Sequence, residues 1–144
     1  MGLRNRSQKV ELLRSVPLFT HLSKRHLDEL AKHTEEHNVD AGSVLINEGE
    51  PGRQLFIVVS GKARVTRQGK VLASLGPGDF IGEMALLDHK PSSASVVAEE
   101  PMLLLVVGSR EFKPLLSSVP DLAESLLQTL AARLRAADAA LTSE

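Results

Sequence analysis

Between residues 36 and 108 no apolar run is longer than a β-strand, and most runs end at a glycine turn. This patterning limits the fold more than any other feature of the chain. The runs are "SVLI", "QLFIVV", "ARVTR", "KVLASL", "SASVVA" and "MLLLVV". Their separators are Ala41-Gly42, "GEPG", Ser60-Gly61, Gln68-Gly69 and "GPGD". Short runs bounded by turn residues read as strands, and "TRQGKVL" reads as a hairpin with Gly69 at its turn. Many short strands with no helix between them predict a sandwich, jelly roll or barrel.

Helical patterning flanks this region. In residues 8–34, Leu12, Leu13 and Val16 precede Pro17, and Leu22, Leu27, Leu30 and Ala31 recur at helical spacing. Ser23 stands where it would cap "KRHLDELAKH". Residues 109–142 return to helix, with Ser109 as the expected cap of "REFKPLLSSV" and Pro120 opening the last helix. That helix carries acids early and arginines later, as its dipole favours. Leu122, Leu126, Leu130, Leu134, Ala137 and Leu141 fall on one stripe. Residues 120–141 would run about 33 Å at ~1.5 Å per residue, more than a small barrel covers. The stripe therefore either packs on the β core or forms a helix–helix dimer seam at its far end. Gln128, Arg133, Arg135 and Asp138 lie between stripe positions and suit a solvated outer face. No repeat or linker divides the chain, so residues 1–144 are read as one domain: helical 8–34, all-β over 36–108, and C-terminal helices over 109–142.

Composition removes several function classes. The net charge is −1, so no basic footprint points to direct DNA binding. Four Phe with no Trp or Tyr leave few rings for stacking on single-stranded nucleic acid. The absence of Cys excludes disulfides and thiolate metal sites. "MGLRNRSQKVELLRS" has no apolar signal core, and Arg6 stands where a myristoylation pattern wants Ser or Thr. The runs 102–107 and 55–59 are too short to span a membrane. The expectation is a cytoplasmic protein with no membrane partner.

One stretch carries chemistry. In "GPGDFIGEMALL", Gly76, Gly78 and Gly82 let the backbone turn tightly and approach a ligand. Glu83–Leu87 is apolar with good helix formers and predicts one short helical turn whose free N–H groups suit an anion. Glu83, at the start of that turn, is placed to accept a bond from a sugar hydroxyl. After it comes Pro91-Ser92-Ser93-Ala94-Ser95.

These motifs, in an order of helices, all-β core and two final helices, resemble the cyclic nucleotide-binding domain family, the type found in catabolite activator protein and the regulatory subunit of cyclic-AMP-dependent protein kinase. The resemblance covers nearly the whole chain from "LLRSVPLFTHLS" onward. The family's "F-x-G-E-x-A-L" cassette is matched by Phe80, Gly82, Glu83, Ala85 and Leu86. Its "EG-x-x-G" and "F-I-V" signature is matched by Glu48-Gly49, Gly52, Leu55-Phe56-Ile57-Val58 and Gly61. The resemblance implies a β-roll, mainly β with flanking helices, and a regulatory module rather than an enzyme. It implies a ligand site at Phe80, Ile81, Gly82, Glu83, Met84, Ala85, Ser92, Ser93, Ala94 and Ser95. Gly82 and Glu83 match the ribose contacts, Ala85 a phosphate-binding amide, and Ser93 the small residue after the family's arginine. Ser92 stands where that arginine should be.

The departure bears on the ligand, not on the fold. Losing one partner of a buried charge pair costs ~2–5 kcal/mol. Lys90, Arg53 and Arg110 are the alternative cations. No other constellation competes. His33 and His37 are spaced for a metal on a helix but lack a third ligand. His21, His26 and His89 show no pattern. Glu99 and Glu100 are neighbours that would face opposite sides of a strand, and Ser92, Ser93 and Ser95 have no adjacent His base. The expected ligand is cyclic AMP or a related cyclic nucleotide, bound weakly and relayed through the C-terminal helices, with no cofactor and no metal. The expected partners are a homodimer mate and a protein partner or fused effector. The rival expectation is a degenerate domain used for dimerisation or protein docking.

Overall fold

The computed structural model describes residues 5–142, apart from the side chains of residues 84–86 and 140–142. Helix α1 (Arg6–Ser15) opens on a capping box in which Asn5 and Gln8 exchange side-chain and backbone bonds. A 3-10 turn (Pro17–Phe19) leads to α2 (Lys24–Lys32), whose cap is Ser23: its hydroxyl accepts from the His26 N–H at 3.2 Å. The strands follow as β1 (Thr34–Val39), β2 (Val44–Ile46), β3 (Gln54–Ser60), β4 (Ala63–Arg67), β5 (Lys70–Leu75), β6 (Phe80–Ile81), β7 (Ser95–Ala98) and β8 (Met102–Gly108). Helix α3 (Glu83–Asp88) lies between β6 and β7, and α4 (Ser109–Ser118) and α5 (Pro120–Thr142) follow β8.

The strands form two four-stranded antiparallel sheets, in the orders β1-β8-β3-β6 and β2-β7-β4-β5. This is the β-roll with flanking helices that the resemblance implied, one of the all-β architectures that the patterning allowed. Side chains alternate along the first sheet as the pleat requires. Leu55, Ile57, Phe80, Leu105 and Val107 face a helical layer built by α1, α2, α4 and the start of α5. Val58, Ile81, Leu104 and Val106 face the second sheet, where they meet Ala63, Val96 and Ala98. Strand β8 is buried on both sides, which is why "MLLLVV" reads as a continuous apolar run.

Three local features differ from expectation or sharpen it. Strand β1, "TEEHNV", has no apolar run; pairing with β8 from Thr34↔Val107 to Val39↔Met102 recruits it as a polar edge. Helix α4 begins at Ser109 itself, so Ser109 is not the cap: Gly108 occupies that position, with no side-chain cap bond. The β4–β5 turn places both Gln68 (φ 50°) and Gly69 (φ 80°) in the left-handed region, the geometry of a tight two-residue hairpin.

The apolar stripe of α5 divides in two. Leu122 and Leu126 are 1% and 3% exposed and belong to the helix-side core, with Leu130 packed against it. Leu134 is 65% exposed and Ala137 is also exposed, while the side chain of Leu141 lies outside the described residues. Among the described positions, packing on the roll thus accounts for Leu122, Leu126 and Leu130 and leaves Leu134 and Ala137 uncovered. His33 ends α2 and His37 sits on β1 beside Glu35 at 3.0 Å, so the pair shares no helix face. Among the described residues no cluster of His, Asp or Glu fits a metal ion, and no helix is long and apolar enough to cross a membrane.

Candidate functional site

Strand β6 ends at Ile81, and the chain must then turn sharply into α3. Gly82 makes this turn at φ 98°, and a side chain there would collide with the Gln54 carbonyl oxygen of β3. The glycine is therefore required twice, by its dihedral and by the close approach. Glu83 follows as the first residue of α3 and is 3% exposed.

The other side of the site is the loop after α3. Its Ser92 is clamped by backbone bonds: the Ser92 N–H donates to the Glu50 carbonyl (2.9 Å), and the Ser92 carbonyl accepts from the Gly49 N–H (2.8 Å). Pro51 and Pro91 pair across the same junction. The loop "EGEPG" is thus the brace that sets where Ser92 stands. Arg67 adds a bond from its Nε to the Ser93 carbonyl at 2.8 Å.

These pieces enclose a cavity of about 360 Å³, within the range of small-molecule sites. Its apolar walls are Ile46, Val65, Ala73, Leu75, Ile81 and Val96. Its polar lining is Glu83, Asp88, Lys90, Ser92, Ser93 and Arg133. Of the residues expected from sequence, Ile81, Gly82, Glu83, Ser92, Ser93 and Ala94 line this one cavity. Phe80 does not; it is 4% exposed and belongs to the helix-side core. Ser95 spends its hydroxyl on the Glu48 N–H at 2.9 Å. The side chains of Met84, Ala85 and Leu86 lie outside the described residues.

Arg133 is the residue that sequence reasoning misplaced. Instead of facing solvent, its Nη1 donates to Glu83 Oε1 at 2.6 Å and its Nη2 to the Phe80 carbonyl at 2.8 Å. Its guanidinium also lies 4.6 Å from the centre of the Phe80 ring, within reach of a cation–π contact. The physical reason is Glu83. A buried carboxylate needs a partner, and α5 passes close enough for a long arginine stem to supply one. Burial pushes the Glu83 carboxyl up, against the pull of its own backbone N–H and of Arg133, and the net shift is upward. No local signal marks Arg133, because the contact spans fifty positions.

The remaining cations are sorted by the fold. Lys90 lines the cavity but its side chain is exposed. Arg53 lines a neighbouring recess of about 240 Å³ that shares Ile46, Gly82 and Ser92 with the cavity. Arg110 lines a larger recess, about 570 Å³, between α2 and α4 and does not line the cavity. On the far side of the cassette, Lys113 of α4 donates from Nζ to His89 Nε2 at 2.8 Å.

The sequence profile of the family described as the cyclic nucleotide-binding domain matches residues 36–119. The cyclic nucleotide-gated potassium channel mll3241 of Mesorhizobium japonicum is 40% identical over 90% of this chain and 36% of its own length. The cyclic AMP receptor protein of Thermus thermophilus is 36% identical over 88% of this chain and 61% of its own. Among solved structures, the regulatory subunit of a cAMP-independent protein kinase A from Trypanosoma brucei superposes with a TM-score of 0.78 at 25% identity. The match covers 86% of this chain and 46% of that one. That structure is a triple mutant, one of whose changes is Thr to Arg, bound to cAMP in its A site. The chain spans about a third to three-fifths of the curated relatives' lengths. The match runs from within β1 through the rest of the roll and α4, with Gly82 and Glu83 at the wall of the cavity described above, and the chain belongs to the cyclic nucleotide-binding domain family.

Proposed function

We propose that this chain, acting as one unit, is a sensor of cyclic AMP or a related cyclic nucleotide, with affinity weakened by Ser92, and that it relays occupancy through α4 and α5. The observation that carries this reading is Glu83. A carboxylate 3% exposed lines a cavity with apolar walls, whose lining also includes Ser92 and Ser93. Arg133 takes one of its oxygens, and the acceptor capacity that remains on a buried carboxylate so placed suits a ligand hydroxyl. The relay has two physical connections. Lys113 ties α4 to the loop at His89, and Arg133 ties α5 to Glu83. Support for the weakened affinity comes from the trypanosome subunit: that cAMP-independent protein is seen with cAMP after a set of changes that adds an arginine.

Calorimetric titration with cyclic AMP and cyclic GMP tests the reading. Binding of either, weaker than micromolar and lost in Glu83→Ala, is the expected result. No heat for either ligand at millimolar concentration would refute it. A second reading draws on the exposed Leu127 and Leu134 of α5, 66% and 65% exposed: a homodimer built on this helix, with or without ligand. Sedimentation of wild type beside Leu134→Glu decides it, and a monomer in both samples removes the dimer.

A further inference from the structure

The cavity has lost the cation that the cassette would carry, yet it is not without one. Its lining holds two positive side chains, Lys90 and Arg133. Lys90 is exposed, so its ammonium remains hydrated. Arg133 is held in place by two hydrogen bonds and by the Phe80 ring. A guanidinium has five N–H donors. Two are spent on Glu83 and on the Phe80 carbonyl, and three remain on a group that forms part of the cavity wall. With Arg133 in its lining the cavity measures about 360 Å³.

From these observations, and resting on the proposed function above, we infer that Arg133 is the site's anion-holding residue, delivered by α5 in place of a cassette arginine. A planar, permanently charged fork suits a phosphate. Because Arg133 already neutralises Glu83, a ligand phosphate can approach without meeting an unpaired carboxylate. The delivery has a mechanical corollary. Every described residue from 131 to 139 is exposed except Arg133. The side chain that lines the cavity thus also ties the far half of α5 to the roll, at Glu83 and at the Phe80 carbonyl. Occupancy and seating stabilise each other, as two events sharing one group must.

The test compares cyclic AMP with adenosine, which keeps the base and ribose and lacks the phosphate. Both are titrated into wild type, Arg133→Gln and Arg133→Lys, with circular dichroism confirming the fold. Arg133→Gln is expected to weaken cyclic AMP by about tenfold or more and adenosine by less than about threefold, since no charge pair is lost there. Arg133→Lys is expected to fall between, and Ser92→Arg combined with Arg133→Gln to recover cyclic AMP binding. Equal losses for the two ligands would mean that Arg133 acts only through Glu83, and would overturn the inference while leaving the proposed function intact. Unchanged or tighter cyclic AMP binding in Arg133→Gln overturns it as well. A wild-type chain that takes neither ligand overturns the proposed function itself.

Discussion

Placing an arginine at position 92 is the sharpest perturbation the site allows. Ser92 lines the cavity and its backbone is clamped on both sides by Glu50 and Gly49, so the new side chain would start from a fixed point. A unit charge about 4 Å from a phosphate is worth ~4 kcal/mol at an effective dielectric near 20. Two costs reduce this. Ordering a long side chain takes up to ~2 kcal/mol. Asp88, also in the lining, would hold the arginine when ligand is absent and must be given up on binding. Together they leave a net gain of at most ~2 kcal/mol, about thirtyfold or less in affinity. Calorimetry of wild type and Ser92→Arg with cyclic AMP at low and high salt measures it. The gain should shrink as salt rises, and adenosine should show none. A variant that binds cyclic AMP no better than wild type, or gains equally for adenosine, would refute the placement of a phosphate beside Ser92.

Three further outcomes follow from the geometry. Burial raises the Glu83 pKa in the folded chain above its usual 4.5, so the folded state holds this proton more tightly than the unfolded state. Stability then falls as pH rises from about 4.5 through the raised folded value; Glu83→Gln should gain on wild type in urea melts between pH 4 and pH 7, and a wild type that gains on the variant over that window contradicts the assignment. Gly82→Ala should destabilise by at least ~1–3 kcal/mol from the left-handed dihedral alone, with the Gln54 carbonyl adding to it; a urea midpoint unchanged from wild type would show that the turn relaxes freely. Leu122→Ala should cost ~2–5 kcal/mol and Leu134→Ala less than ~0.5 kcal/mol, and thermal melts showing equal losses would mean that the far half of α5 is buried too.

The fold was legible wherever burial leaves a mark on composition. Strand β8 and the hairpin at Gln68-Gly69 stand out because a strand buried on two faces must be apolar and a tight hairpin must carry residues that accept positive φ. Strand β1 left no such mark. It is an edge made by pairing, and its Glu35, Glu36 and Asn38 are tolerated there. Strand β6 was hidden for the opposite reason: two residues, Phe80 and Ile81, are too few to show alternation, although they point to different cores. Within the site, the glycine and glutamate spacing was readable because backbone turns impose it locally. The partner of Glu83 was not. Arg133 is chosen by where α5 comes to rest, a property of the packed chain and not of any window within it. Position 109 shows the limit at smaller scale: a serine before a helical run suggests a cap, and the observed start one residue earlier takes the glycine instead.

The two-sided burial of β8 has a consequence for how the molecule opens. Leu105 and Val107 belong to the core under the helices, and Leu104 and Val106 to the core between the sheets. Among the described residues, none of α4 or α5 belongs to the second core. The helical layer can therefore lift or fray without emptying the interior of the roll, whereas exposing the β8 backbone requires both cores to break at once. In amide hydrogen exchange this makes a hierarchy of protection. The far half of α5 should exchange first, the first core's helices later, and the amides of β8 and its neighbour β3 only on global unfolding. Motion of α4 and α5 is thereby separated, in free energy, from the integrity of the chamber between the sheets.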